Sequence, residues 1–570
     1  MNRKWDAVNR EQELKQIQSR EYDLIIIGGG ITGAGIAREC ALRNLSFCLL
    51  EKNDFAFGTS SRSSKLFHGG MRYLSNLEFG LVRESTTERN WLRNHLPNLV
   101  RPLGFMYCAY QRGKDTPFKV RLAVRLYQYI SDCFSEHKNY RKSRIFKRDF
   151  VEEFEPAVPM ELPGMGKLVC AGFFYDTNCD DARVTLEIIK ESLVYSEGRS
   201  AAINYAKVEG FIKNSAGKVT GVSVRDVFSG QKFEIRGKVV VSATGIWTDE
   251  VMAETSYGEP KIYPTKGVHV IVPQERIGNR NAFGVRSIDD GRFFFVLRRG
   301  PVSVIGTTDT AYYPESKNLD EPWCKKEDCD YLLRSVNFLF PEAQLTYKDI
   351  IGTYAGIRPL IRQEGVESES QVSRSHEIFD TKEGVVAIAG GKSTTHRRMA
   401  EDLLFYLVKQ NYLPPFAKKE YGRRGYSKIP FLVGISWNDF KKLVAEKNLL
   451  EVCPMEQLKY LHQQYGRGAL LILEDIKSHP SRGLPLLENY PHCEAEIRYI
   501  LNYENAPKLL DILCRRTEAQ WMIWHYLQRE LAEKVAAIAA EHYGWSEEKK
   551  AEEIEEYCQY VKNTVAFLES

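Results

Sequence analysis

None of the twelve cysteines stands in a CxxC pair, so the usual spacing for a zinc site or a dithiol redox centre is missing. They are scattered from Cys40 to Cys558, and even Cys324 and Cys329 stand too far apart to form such a pair. Separate thiols in a reducing compartment are the expectation. An excess of charge is missing too. The 79 Lys and Arg residues face 75 Asp and Glu, for a formal net charge of +4. Such balance gives no general attraction to nucleic acid, so any anion site must be local. No apolar run is long enough to span a bilayer. The opening MNRKWDAVNREQELKQIQSREYD alternates charges and lacks the apolar segment of a signal peptide. Internal repeats and low-complexity tracts are absent. What remains is a globular composition, 43% hydrophobic and 27% charged over 570 residues, enough for more than one core. The expected place is the cytoplasm or a membrane surface.

Residues 1–20 read as a polar arm or helix. From Tyr22 the texture changes. Leu24–Ile27 is apolar and β-branched, as befits a strand buried on both faces. A glycine-rich turn, a helical stretch to about Asn44 and a second apolar strand, Phe47–Leu50, complete a βαβ unit. Residues 81–150 show helical spacing. Strand signals return at Val219–Val224 and Val239–Val241. They recur at Val268–Val272, Phe293–Leu297 and Val302–Ile305, read as an antiparallel sheet walling a substrate site. Ile388–Gly391 ends a buried strand before a helix over Thr395–Val408. Pro414-Pro415 mark a break, after which 455–475, 493–545 and 547–566 have helical periodicity.

Gly28, Gly30 and Gly33 form GxGxxG between the strand and the helix. The first glycine permits the turn, the second lets backbone approach a pyrophosphate, and the third lets helix and strand pack closely. The helix N-terminus then faces the phosphates. Glu51, at the end of the second strand, is placed to accept hydrogen bonds from a ribose diol. This is a dinucleotide site. Three later loops, each unremarkable alone, suit FAD in their joint order. They are Gly58-Thr-Ser-Ser-Arg-Ser-Ser64, Ala243-Thr244-Gly245 and Ala389-Gly390-Gly391, the last opening a second helix N-terminus. The residues by themselves stop at a flavoprotein oxidoreductase of open substrate.

The stretches YDLIIIGGGITGAGIAREC, GTSSRSSKLFHGGMRYL, VVSATGIWTD, TKGVHVIVP, VIGTTDT, TYAGIRPLI, SRSHEI and IAGGKSTTHRRMAE resemble FAD-dependent glycerol-3-phosphate dehydrogenase of the respiratory type, within the D-amino-acid-oxidase-like flavoproteins. The likeness runs from about 22 to 402, and AEIRYILNYENAPKLLDILCRRTEAQ resembles that family's C-terminal domain. The resemblance implies an α/β fold: a Rossmann-type FAD-binding domain, an interleaved antiparallel-sheet substrate domain, and an all-α C-terminal domain. Expected boundaries are an arm at 1–20, the oxidoreductase region at 21–410 and the helical domain at 411–570. FAD-binding segments fall at about 21–80, 165–260 and 350–410. Substrate-domain segments fall at about 81–164 and 261–349.

The resemblance also implies oxidation of glycerol 3-phosphate to dihydroxyacetone phosphate, with FAD as hydride acceptor. Electrons pass to a membrane quinone, or to O2 in an oxidase. Peripheral attachment to the inner face of the cytoplasmic membrane is expected, and homodimerisation is left open. Expected FAD contacts are Gly28, Gly30, Ile31, Thr32, Gly33, Glu51 and Lys52 at the first turn. Thr59, Ser60, Ser61, Lys65 and His68 follow along the hydroxyl-rich loop. Val208, Gly245, Trp247, Gly391, Lys392, Ser393 and Thr394 return later in the chain. Catalysis is assigned to His68, Arg358 and Lys392. Substrate binding is assigned to Arg72, Tyr73, Arg358, Arg374 and Lys392, because planar guanidinium forks suit a phosphate dianion. His68 is the base, or else a histidine hydrogen-bonded beside the flavin. No metal is expected. Ile246, Ser393 and His396 depart from the family's common residues near the flavin. Two other readings stay open. One is a related oxidoreductase of 2-hydroxy acids or amino acids. The other is a flavin-binding module without turnover, against which the His68, Arg72, Arg358, Arg374 and Lys392 set speaks. Trp521, Trp524 and Tyr526 are core, or a membrane-facing patch.

Overall fold

The computed structural model describes residues 4–74, 77–314, 318–362, 375–416 and 429–569, and of Arg72 the backbone alone. Two sheets dominate them. The first is built on parallel strands. Glu21–Ile27 lies between Phe47–Leu50 and Lys232–Ser242, with Ala201–Ile203 outside the former and Val385–Gly390 outside the latter. Successive side chains of a strand point to opposite faces. Leu24 and Ile26 therefore join one core with Leu49 and Val241, while Ile25 and Ile27 join another with Cys48 and Val240. Burial on both faces explains the unbroken apolar runs. The helix Ile31–Leu42 packs between Asp181–Tyr195 and His396–Lys409 on the first of these cores. Because the chain passes from Glu21–Ile27 to Phe47–Leu50 on one side and later returns to Lys232–Ser242 on the other, the C-terminal end of Glu21–Ile27 is a topological switch point, where open α/β sheets bind ligands.

The second sheet is largely antiparallel. One long pairing runs from Ile262↔Ile361 to Ile271↔Gly352, and on the other side of Ile262–Pro273 come Val302–Gly306 and then Phe293–Arg299. Two strands run through segments that the sequence left unread or read as helical. Arg101–Tyr110 pairs along its whole length with Gly166–Asn178. Gly166–Asn178 and Gly352–Ile361, placed by sequence with the FAD-binding part, belong to the second sheet. The helix Pro117–Cys133 lies against this sheet. It fits closely because position 172 is glycine: a Cβ there would stand 2.7 Å from Val124 Cγ2.

The C-terminal helices enclose their own core, from Ile435 to Val561. They meet the parallel-sheet part through buried charge. Asp54 accepts a two-pronged contact from Arg516, at 2.7 and 2.9 Å, and another from Arg515 Nε at 2.5 Å. Burial pushes the Asp54 carboxyl up, but Arg516 and Arg515 outweigh it and hold it below its ordinary value. The N-terminal arm joins the same seam, for Trp5 exchanges backbone hydrogen bonds with Asn502 and Asn505. Removing one member of a buried ion pair leaves the others uncompensated. Asp54→Ala should therefore cost about 3–5 kcal/mol, read by denaturant unfolding of the FAD-loaded protein. A loss below 1 kcal/mol would mean that Arg515 and Arg516 do not depend on it.

Candidate active site

At the switch point the chain turns through Gly28, which adopts φ +108 with its would-be Cβ 2.6 Å from the Ala243 carbonyl oxygen. Only glycine fits both the angle and the space. A Cβ on Gly33 would lie 1.9 Å from the Gly28 carbonyl oxygen, so this glycine sets the helix against the turn. Gly30 differs. Its nearest neighbour would be Ser60 Oγ, at 3.2 Å, and the residue lines an open cavity of about 490 Å³. Glu51 is aimed into the same turn by the Gly29 and Asn53 amides, which donate to its two carboxylate oxygens at 2.7 and 2.9 Å. Burial raises its pKa, and those two hydrogen bonds work against that. Lys52 bonds Asp320 at 2.7 Å while its ammonium sits 4.3 Å above the Trp247 ring.

The cavity continues along Thr59 and Ser60, past Val208 and Gly245, to a polar end. There His68, Tyr73, His269, Arg358 and Lys392 line one space. Gly390 and Gly391, with φ +76 and +78, bring Lys392 in. Its Nζ lies 3.8 Å above the Tyr73 ring and 3.2 Å from Ser85 Oγ. Arg358 comes from the Gly352–Ile361 strand opposite Thr265. Its guanidinium bonds Asp309 Oδ1 at 2.9 Å and Thr307 Oγ1 at 3.0 Å. Room for it depends on Gly267, where a Cβ would come within 2.5 Å of Arg358 Nη2. Asp309 also pairs with Arg292 at 2.7 Å, so one carboxylate sits between two arginines. His269 is 2% exposed; its Nε2 lies 2.9 Å from Ser64 Oγ and its ring stacks on Tyr354 at 4.6 Å. Burial first, then the positive charges of Arg358 and Lys65, hold its pKa well below the ordinary value.

Comparison with known proteins bears on this geometry. Residues 23–394 match the FAD dependent oxidoreductase family, and residues 424–550 match the C-terminal domain of alpha-glycerophosphate oxidase. The chain is 33% identical over 517 residues to the aerobic glycerol-3-phosphate dehydrogenase of Staphylococcus haemolyticus (strain JCSC1435), covering 90% of this chain and 89% of that one. It is 30% identical to the aerobic glycerol-3-phosphate dehydrogenase of Bacillus subtilis (strain 168), over all of both chains. The chain belongs to the FAD-dependent glycerol-3-phosphate dehydrogenase family. A solved member, the glycerol-3-phosphate dehydrogenase from Bacillus halodurans complexed with FAD, superposes with TM-score 0.77 at 28% identity over 99% of each chain.

The family's cofactor is FAD, and the residues present fit it. The Gly28–Gly33 turn leaves a cradle that a side chain at Gly30 would fill. Glu51, fixed by two backbone amides, lines that cradle, and Trp247 Nε1 is buried with no hydrogen-bond partner among the described residues. Of the FAD contacts read from sequence, Gly28, Gly30, Ile31, Thr32, Glu51, Lys52, Thr59, Ser60, His68, Val208, Gly245, Trp247, Gly391, Lys392, Ser393 and Thr394 line the cavity. Gly33 stands behind it as packing. Ser61 is not in the lining; its hydroxyl lies within 3.5 Å of backbone carbonyls at Phe57 and Gly58. Lys65 is placed elsewhere. Its ammonium is buried between Asp181 at 2.8 Å and Glu518 at 3.0 Å, and the residue does not line the cavity. Arg374 and the Arg72 side chain lie outside the described residues. Sequence reading missed His269 and Asp309. His269 sits two residues beyond Gly267 in a strand, so alternation alone puts both on one face.

His396, one of the departures noted above, is 1% exposed, with Nδ1 2.8 Å from the Ser393 carbonyl. Burial is the main cause lowering its pKa to about 3. Its folded value is depressed below the unfolded value near 6.5, so its contribution is full above that pH and is lost as pH falls toward 3. At pH 5 the loss is about 2 kcal/mol. His396→Leu should flatten the decline in unfolding free energy between pH 7 and pH 5. Equal slopes in both proteins would count against this.

Proposed function

We propose that the protein oxidises glycerol 3-phosphate to dihydroxyacetone phosphate. The observation that carries the reading is the single cavity that joins the nucleotide turn to Arg358, Lys392 and two histidines. FAD, when bound, supplies the acceptor for the hydride leaving C2. Arg358 binds the phosphate through its planar fork, and Lys392, braced on Tyr73, meets a substrate oxygen. His68 takes the C2 hydroxyl proton. His269, buried beside the charges of Arg358 and Lys65, resists protonation and stays a neutral hydrogen-bonding neighbour. A shifted pH–rate profile in His68→Ala but not in His269→Ala would support this assignment. The names of the two relatives and of the solved structure support the substrate.

Adding glycerol 3-phosphate without oxygen to the purified protein should bleach the flavin absorbance. An unchanged spectrum would sink the substrate assignment. Readmitting a quinone analogue should restore the colour faster than readmitting O2. The opposite order would favour the oxidase, a reading supported by the match of residues 424–550 to the C-terminal domain of alpha-glycerophosphate oxidase. The chain carries one GxGxxG turn, so turnover should leave NAD and NADP unreduced. NADH forming at the rate of flavin turnover would refute that. Among the described residues no helix is long and apolar enough to cross a membrane. The quinone reading therefore puts the protein on the inner face of the cytoplasmic membrane as a peripheral protein.

A further inference from the structure

We infer that the outward face of the helix Pro117–Cys133 is the surface by which this protein lies on an anionic lipid bilayer. This rests on the peripheral-attachment reading and gives it a location.

The helix is firmly built. Pro117 opens it, and Thr116 Oγ1 accepts from the Lys119 amide at 3.3 Å. Val120, Val124, Tyr127 and Ile130 are buried against the sheet. The opposite side carries Phe118, Leu122, Arg125 and Tyr129, spaced i, i+4, i+7 and i+11, within about 60° of arc. Phe118, Leu122 and Tyr129 are 72%, 54% and 61% exposed. Single exposed apolar residues are ordinary. A row of them on one rigid helix, flanked by exposed Lys119 and Arg121, is not. Exposed Leu77 and Phe79 stand at the start of the neighbouring helix Phe79–His95, which packs against this one.

Charge decides what covers this face. Residues 111–130 contain five basic residues and one acid, Asp115, a net of +4 that equals the formal charge of the whole chain. Asp115 is tied to Arg286 at 2.5 Å and of the helix cations feels Lys119 alone, so Arg121 and Arg125 keep their charge. Apolar side chains alternating with Lys and Arg on one helical face match the boundary between acyl chains and anionic headgroups. A second copy of the chain on this face would set like charges against each other.

The test uses the full-length, FAD-loaded protein and flotation with two vesicle types, neutral phosphatidylcholine and phosphatidylcholine mixed with phosphatidylglycerol. The wild type should bind the anionic vesicles, less so at high salt. K119E/R125E should weaken that binding at least tenfold, given about fivefold per basic residue at the surface. F118S/L122S should weaken binding to both vesicle types. Both variants should keep FAD content and dye-linked turnover in solution. Wild type that binds neither vesicle would defeat the peripheral-attachment reading itself. Wild type that binds while both variants bind as well would overturn the surface and leave attachment standing. A dimer in solution that F118S/L122S dissociates would make this face an interface between copies and overturn the inference.

Discussion

Gly30→Val should yield a folded protein without bound FAD. The space around this residue is unlike that around its two partners in the turn. A Cβ at Gly28 or Gly33 would meet backbone carbonyl oxygen at 2.6 or 1.9 Å, so a side chain there collides with the fold itself. At Gly30 the nearest atom is a serine hydroxyl at 3.2 Å, and the residue borders the cavity. A branched side chain there spares the scaffold but fills the place where backbone must approach a pyrophosphate. Overpacking of this kind costs about 1–3 kcal/mol, which is roughly tenfold to a hundredfold in affinity. The yellow colour should be lost on purification while the far-ultraviolet circular dichroism stays. Gly33→Ala should lower both together, because its methyl group forces the helix off the turn. A Gly30→Val protein that keeps its full flavin absorbance would show that the pyrophosphate does not pass this point.

The contrast among these glycines also marks how far the sequence could be read. The βαβ unit was legible because its signals are local: an unbroken apolar run, three glycines at fixed spacing and an acid at the next strand end. The strands Arg101–Tyr110 and Gly166–Asn178 were not legible. Pro102, Gly104 and Gly172 look like breakers, and each strand is stabilised chiefly by the other, far along the chain. The same limit applies within the site. Lys65 sits in the hydroxyl-rich loop that lines the cavity, yet its ammonium turns toward Asp181, 116 residues away, and toward Glu518. No local pattern announces that choice. Trp521 and Tyr526 divide in a similar way: the first is 2% exposed and packs on Tyr354, while the second is 65% exposed. A short run of aromatic residues therefore supplies both core and surface.

Arg358 carries the largest expected effect on turnover, and its partner Asp309 sharpens the test. The two are 49 residues apart. Asp309 bonds both Arg358 and Arg292, so one carboxylate is shared between two guanidiniums. A phosphate dianion suits such a group; a neutral alcohol gains little from it. A hydrogen bond to a charged group contributes about 1.5–3 kcal/mol. Arg358→Ala should therefore lower kcat/KM for glycerol 3-phosphate roughly tenfold to a hundredfold. The loss for glycerol should be much smaller, since phosphate binding does not assist that reaction. Arg358→Lys should rescue only part of it, because an ammonium cannot present two parallel donors. Its shorter reach toward Asp309 and Thr307 should appear mainly in KM. FAD content must be matched across the variants first, because Arg358 borders the same cavity as the cofactor residues. If Arg358→Ala slows both substrates equally, the arginine acts on the reacting centre or on the cofactor and does not read phosphate. If it slows neither, the guanidinium is held by Asp309 for structure alone, and the phosphate must be bound elsewhere in the cavity.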